Sequence, residues 1–429
     1  MEPAQPDRPA WGFLKRFLFR VLVVYVILFC FPFPLEVVPV VGEVLSEDYA
    51  ELWHKAVPWV GERVFGIEIK FRPGGSGDTT YNYVQLVCYL AIALAAAIVW
   101  TVLDRKRPSY PRLHEWLRVY LRFMLGATMI YYGAIKVIPV QMGPPWLGKL
   151  IQPIGEASPM GLLWTFMGAS DSYMIFSGAA EMLGGLLLVF RRTTLLGALV
   201  SIGVMSNVAM MNYSYDVPVK IFSTHLLLMG VFLAAPDLKR LANLFLLNRP
   251  VAPAADPPLF ANRSGHRAAL VFRTLFVLFI TFTALQQAWK GYREYRVGLP
   301  KPRAHGIWEV EDLSIDGQPR PLLATDADVW RRVIFEWPGV VGIQRTSDSR
   351  PKYYQLKLVK GPYQFEMTAG ADPEWKGGLS YRLVSPKILT LESEYEGKRI
   401  AGRFRRMDET RFRLVSRGFH WINEFPHNR

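Results

Sequence analysis

Residues 129–141 read MIYYGAIKVIPVQ, with Lys136 near the end of an apolar helical pattern that begins around Arg112. A free ammonium in hydrocarbon costs several kcal/mol unless it snorkels out or is paired. The setting of that lysine therefore decides the fold. The chain has 429 residues, of which 51% are hydrophobic and 14% aromatic, with a mean hydropathy of +0.14. That average joins two populations: apolar runs of about 20 residues, the length that spans a bilayer, and a polar C-terminal third. A polytopic membrane protein with a soluble appendage is the expected class.

Seven spans are expected, at roughly 17–33, 83–103, 116–139, 173–190, 194–213, 217–235 and 268–287. The first is the weakest, being short and carrying Arg20. Arg8, Lys15, Arg16 and Arg20 precede VLVVYVILFCF, but FPFPLEVVP follows instead of a small-residue cleavage site, so an uncleaved anchor is expected. The net charge of +14 lies largely in short loops beside apolar helices: DRKRPSYPRLHEWLR (104–118), the pair at 191–192 and segment 237–273. Loops 34–82 and 140–172 are acidic or balanced. The positive-inside rule then places the N-terminus in the cytoplasm, and an odd span count places the C-terminal domain outside. No nucleic-acid motif accompanies the charge. Two cysteines, Cys30 and Cys88, exclude a disulfide framework or a cysteine-rich metal site. They share a depth and read either as a pair that shuttles electrons or as buried apolar residues.

Between the spans, EDYAELWHKAVPWVGERVFGI in loop 34–82 is amphipathic and expected on the membrane surface. GGSGDTTYNY (74–83) reads as a flexible turn, since it lacks the context of a phosphate loop. Ser158 followed by Pro159 is a helix-start signal, predicting a short helix over the outer mouth. Segment 249–262, RPVAPAADPPLFAN, is a proline-rich linker. The expected divisions are 1–111 (two spans and an outer loop), 112–248 (a four-helix bundle), 249–295 (linker and seventh span) and 296–429.

From Gly306 the pattern changes to period two, with turns at 316–317, 361–362 and 396–397. Strands are predicted at 307–315, 339–346, 352–360, 362–369, 380–384, 387–395, 398–407 and 411–417. In 387–395, Leu389, Leu391 and Tyr395 share one face, while Thr390, Glu392 and Glu394 take the other. Such short strands with tight turns predict a C-terminal antiparallel β-barrel of eight strands.

Helical geometry gathers the polar residues of the bundle. Arg118, Arg122, Met129, Tyr132, Gly133 and Lys136 fall within about a 100° arc, and Glu181 lies roughly 12 Å in from the outer end of its span. A carboxylate that deep cannot snorkel, so it is protonated or paired, and functional by default. Gly184 and Gly185 on its face let another helix approach. Lys136 and Glu181 are the candidate catalytic pair, since burying opposite charges together costs far less than burying either alone. Tyr132, Asn207, Asn212, Lys220 and His225 are the candidate ligand-binding residues of an outward-opening pocket. Three of them also have a plainer reading: Lys220 as a snorkelling residue or surface partner of Asp216, Asn207 as a helix tie, and His225 as a core histidine. Arg122, about one turn inside the other end, reads as an inner-leaflet anchor. No HExxH, Gly-x-Ser-x-Gly, CxxC pair, Walker or Rossmann signature is present, and His225 lacks a second histidine one turn away.

MLGATMIYYGAIKVIP, FSGAAEMLGGLLLVFRRTTLLGALV and NYSYDVPVKIFSTHLLLMGVFLAAPDLKRL together resemble the DoxX-like family of four-helix membrane proteins. The likeness covers about 125 residues, through Gly133 with Lys136, Glu181-x-x-Gly184-Gly185 and the arginine pair that follows. It implies a link to thiol or sulfur redox chemistry, with a quinone as the candidate cofactor, and a bacterial-type inner membrane. Gly306-x-Trp308 is similar to the opening of lipocalin-type barrels. Three functional classes follow. One is a quinone- or thiol-linked redox module, whose electrons come from a partner protein. Another is lipid or lipophile binding, using the barrel and the arginines at 399, 403, 405, 406, 411, 413 and 417 against membrane lipids. The last is a non-catalytic assembly scaffold.

Overall fold

The computed structural model describes residues 10–38, 40–253, 260, 262–323, 325–327, 329–360, 363–369 and 372–427. Arg8, the turn at Gly361–Pro362 and much of linker 249–262 lie outside the described residues. The chain forms two compact units, one comprising Met1–Val137 and Phe176–Gln286, the other Ile138–Ile175 and Gln287–Arg429.

The first unit is helical. Each of the seven apolar runs is a helix: α1 (Phe13–Cys30), then, after the amphipathic α2 (Val41–Val60), α3 (Thr80–Leu103) and α4 (Pro111–Val137). Two short helices of the second unit, α5 (Leu147–Leu150) and α6 (Pro159–Gly168), intervene in the chain before α7 (Asp171–Val189), α8 (Thr194–Ser214) and α9 (Lys220–Ala234). The short α10 (Leu238–Phe245) and long α11 (Arg263–Tyr292) follow. Among the described residues, five stretches, built on α3, α7, α8, α9 and α11, are long and apolar enough to cross a membrane. α1 and α4 carry more charge. Arg20 of α1 is 2% exposed, yet each of its three side-chain nitrogens donates a hydrogen bond. It donates to the Tyr110 hydroxyl, to Thr101 Oγ1 and to the Asp104 carbonyl at 2.6–3.1 Å. A buried guanidinium is tolerable when its donors are satisfied in this way.

The glycine segment before α3 is more fixed than its composition suggests. Thr79 and Asn82 cap α3 reciprocally. Asp78 accepts the first amides of α9, from Lys220 and Ile221, at 2.7 and 2.9 Å. Cys30 and Cys88 are both free and buried, in separate apolar clusters.

The second unit holds the barrel. Its strands are β1 (Gly306–Ile315), β2 (Gln318–Arg320), β3 (Trp330–Phe335), β4 (Val340–Arg345) and β5 (Lys352–Lys360). β6 (Gln364–Ala369), β7 (Asp372–Ser385), β8 (Ile388–Tyr395) and β9 (Lys398–Arg406) complete it. Every pairing is antiparallel, each long strand neighbours the next, and β9 returns to β1, closing eight strands with the three-residue β2 beside β1. Leu389, Leu391 and Tyr395 face inward as predicted. The interior is filled with side chains, including Trp308, Trp330, Phe335, Met367 and Phe404, each at most 2% exposed. A cavity of about 220 Å³ opens beside Phe335, Trp337 and Tyr381.

Two strand expectations need correction. Residues 411–417 are not a strand; they run from a 3-10 turn (Glu409–Arg411) into α12 (Arg413–Ser416). With β9 already bonded to β1, the barrel has no edge to receive them. The eighth strand is β3, whose Arg331 and Arg332 interrupt the apolar alternation. Arg332 is accommodated by Gln344 and Glu309 at 3.1 and 3.3 Å. The arginines of β9 are likewise engaged: Arg403 and Arg405 both bond Glu311, and Arg399 bonds Glu392.

Candidate functional site

The site grows from two helices whose backbones nearly touch. Gly126 and Gly133 lie seven residues apart on α4, as do Gly178 and Gly185 on α7. A Cβ at Gly133 would stand 2.6 Å from the Gly178 carbonyl oxygen, and one at Gly185 would stand 2.7 Å from that of Gly126. The two glycine pairs thus bring the helices together in antiparallel register. Ile130 and Ala134 close the flanks with Ile280 and Ala284 of α11.

Lys136 extends from this seam to Glu181. Its ammonium donates to Oε1 at 2.9 Å and to Oε2 at 2.7 Å. The side chains are 9% and 3% exposed, so the pair is buried, and the outward-opening pocket expected from the sequence is reduced to the side that Tyr132 borders. Such charge-assisted bonds are the strong ones, and each partner removes the penalty of burying the other. The ammonium has a third proton, and the Tyr132 ring stands 5.7 Å away. Tyr132, 36% exposed, is the open side of the site.

At the far end of the seam Arg122 is buried, donating to the carbonyls of Leu188 and Val189 at 2.9 and 2.8 Å. It closes the C-terminus of α7, where a cation suits the exposed carbonyls and the helix dipole. That role replaces the inner-leaflet anchor. Its signal was present in the sequence: Arg122 falls on the same arc as Lys136.

The other expected ligands are not gathered here. Asn207 is exposed and, among the described residues, makes no hydrogen bond to the pair. Asn212 donates to Ser223 Oγ at 3.0 Å, tying α8 to α9. Lys220 lies 2.8 Å from Asp216 and 3.9 Å from Asp78. His225 stacks on Phe29 of α1, its Nδ1 2.7 Å from the Ile221 carbonyl and its Nε2 2.8 Å from the Tyr25 hydroxyl. With the carbonyl fixed as acceptor, Nδ1 carries the proton and Nε2 of the neutral ring accepts from Tyr25. That is a satisfied core histidine. Among the described residues, no cluster of histidine, cysteine or carboxylate side chains is suited to a metal ion.

No family model matches the chain, and no solved structure matches it. Over 126 residues, 29% of its length, the chain is 32% identical to the uncharacterized protein YwoB of Bacillus subtilis (strain 168), and the match covers 79% of that protein. The chain belongs to the family of YwoB.

Proposed function

We propose that the chain is a DoxX-like, seven-span integral membrane protein, with its N-terminus cytoplasmic and a lipocalin-like barrel outside, serving as a quinone- or thiol-linked redox module of a bacterial-type inner membrane. The observation that carries this reading is the Lys136–Glu181 pair, sealed between glycine-packed helices with one side open through Tyr132. Ionisable groups at such positions mark proton or ligand paths far more often than they serve stability.

The residues fit a quinone headgroup. Two protons of the Lys136 ammonium are directed at Glu181, leaving one for a carbonyl oxygen that enters beside Tyr132. A quinone held here would supply two-electron, two-proton redox chemistry, with a partner's dithiol, oxidised to its disulfide, as the source of both electrons and protons. Lys136 would hold and orient a carbonyl of the headgroup, and the Glu181 carboxylate beside it would hold a proton for transfer. The filled barrel interior makes a lipid carrier the less favoured reading.

The test is quinone extraction with native mass spectrometry on the gently solubilised full chain, beside Glu181→Gln, Lys136→Met and the double variant. A co-purifying quinone, lost in all three while the double variant recovers most of the parent's melting temperature, is the expected result. Quinone retained by the double variant, or a parent that retains none when incubated with menaquinone, overturns the reading.

A further inference from the structure

The segment joining α4 to α7 folds with the barrel. Glu336 accepts the amide of Leu147, and Leu147 covers Ile307 and Ile334 on the barrel's outer side. Between this segment and the start of β5 lies a cleft of about 500 Å³. Trp146, Lys149, Ser158 and Trp164 line one side, Arg350 and Tyr353 the other.

The charge in this cleft is unbalanced. No aspartate or glutamate lines it among the described residues. Arg350 donates to the Glu156 carbonyl, and among the described residues neither Arg350 nor Lys149 has a carboxylate partner. The Lys149 ammonium also overlies the first turn of α6, where a Cβ at Gly161 would stand 2.9 Å from Nζ and 3.0 Å from the capping Ser158 Oγ. That is the positive end of the helix, the wrong place for a cation. Burial and the nearby Arg350 charge together push Lys149 below the ordinary lysine range. Elsewhere in this unit the pattern is the reverse: Arg296 pairs with Asp171, Arg332 with Glu309, Arg345 with Asp348, and Arg403 with Glu311.

The walls specify more than charge. Trp146 is 46% exposed with Lys149 Nζ 5.7 Å from its ring, and Trp164, half-buried, lines the same cleft. The Tyr353 hydroxyl is buried without a partner among the described residues, so it is a donor in reserve. Two cations, a spare hydroxyl and aromatic walls suit an anion that carries a carbon skeleton. The volume exceeds what a bare oxyanion needs.

We propose that the Lys149–Arg350 cleft binds a phosphate ester, with the phosphate between the two cations and the organic part against Trp146 and Trp164. Anionic phospholipid headgroups and soluble phosphate esters share this chemistry. The chain favours the lipid, because both ends of the segment run directly into α4 and α7 and interfacial tryptophans mark the headgroup level. Only that preference rests on the spanning reading; the cleft does not involve the Lys136–Glu181 pair.

The full chain in detergent, titrated with phosphatidylglycerol, phosphatidylcholine or glycerol 1-phosphate and read by native mass spectrometry, tests this. The parent is expected to hold phosphatidylglycerol about tenfold better than phosphatidylcholine. Lys149→Gln with Arg350→Gln should abolish the preference, while Lys357→Gln, which removes one exposed charge of the same unit, should not. Lys149→Arg keeps the charge and should keep binding, which separates loss of the site from loss of the fold. Glycerol 1-phosphate bound with the same sensitivity, and no lipid preference, would support the site with a soluble ester as its ligand. Equal retention of all three ligands by the parent and the Gln–Gln variant overturns the proposal. Quinone retention is expected to be unchanged in these variants, so the two proposals fail separately.

Discussion

Glu181 in the helical unit and Glu336 in the barrel unit are both largely withdrawn from water, yet they are held in opposite ways. Glu181 sits mid-helix on α7, facing α4, where every nearby amide is already spent in its own helix. Only a side chain can meet it, and Lys136 does so with two bonds. Glu336 faces the first turn of α5, where amides are free, and accepts from the Leu147 amide at 2.8 Å. Its other oxygen is buried with no partner among the described residues. Burial, with some repulsion from Glu409, pushes this carboxyl up to about 7 despite the amides of Leu147 and Gly148. A carboxylate's surroundings thus follow from whether the facing element offers backbone donors. One group is locked to a counter-charge, and the other titrates near neutrality.

The sharpest way to break this contrast is to remove one half of the pair. Lys136→Met or Glu181→Leu alone leaves a buried charge uncompensated and should cost about 3–5 kcal/mol. The double change should recover most of that, because two apolar side chains need no counter-charge. Thermal unfolding in a fixed detergent checks both. Singles no worse than the double would mean that the pair contributes nothing to keeping α4 and α7 together.

A gentler intervention separates the helices that hold the pair. Gly133→Ala places a methyl 2.6 Å from the Gly178 carbonyl oxygen and 2.7 Å from the Met182 amide nitrogen. Both are backbone, which cannot swing aside, so the cost should reach the upper part of the roughly 1–3 kcal/mol of overpacking. Unchanged melting would show that the seam is looser than its glycines imply.

For Glu336 the lever is pH. Its folded carboxyl sits at about 7, above the ordinary range of an unfolded glutamate. The protonated form is therefore favoured by folding: the contribution is fully present below about pH 4.5 and lost as pH rises through about 7. Allowing for partial solvent screening, the loss is roughly 2 kcal/mol. Thermal unfolding in a fixed detergent should show an excess fall in stability over that window. Glu336→Gln should flatten the excess; a variant that keeps the full pH dependence would assign it elsewhere.

Much of this arrangement was legible in the sequence, and the failures share a cause. Lys136 and Glu181 could be paired because helical period places each on a definable face, and the alternation around Leu389 and Leu391 fixed an inward face of the barrel. β3 was hidden because Arg331 and Arg332 interrupt the pattern that reveals strands, while 411–417 mimicked that pattern with no edge to join. Asn207 and His225 share a depth with the pair but not a direction, and depth alone does not make a site. Glu336 was invisible for a different reason. Its partner is a backbone amide 189 residues away, and no side-chain periodicity encodes that.

Asp78 combines the two modes and yields the smallest expected effect. Its side chain, 7% exposed, accepts the amides of Lys220 and Ile221 as Glu336 accepts that of Leu147, and it also lies 3.9 Å from the Lys220 ammonium. If amides dominate, Asp78→Asn, which keeps an acceptor, should cost little, and Asp78→Ala should cost about 1 kcal/mol, the value of a helix cap. If the ammonium dominates, Asn and Ala should be equally costly. The amide reading is expected here, because Lys220 already has Asp216 at 2.8 Å and needs no second carboxylate. Comparing the two variants by melting temperature at low and high salt decides it: a cap is insensitive to salt, whereas an ion pair weakens with it.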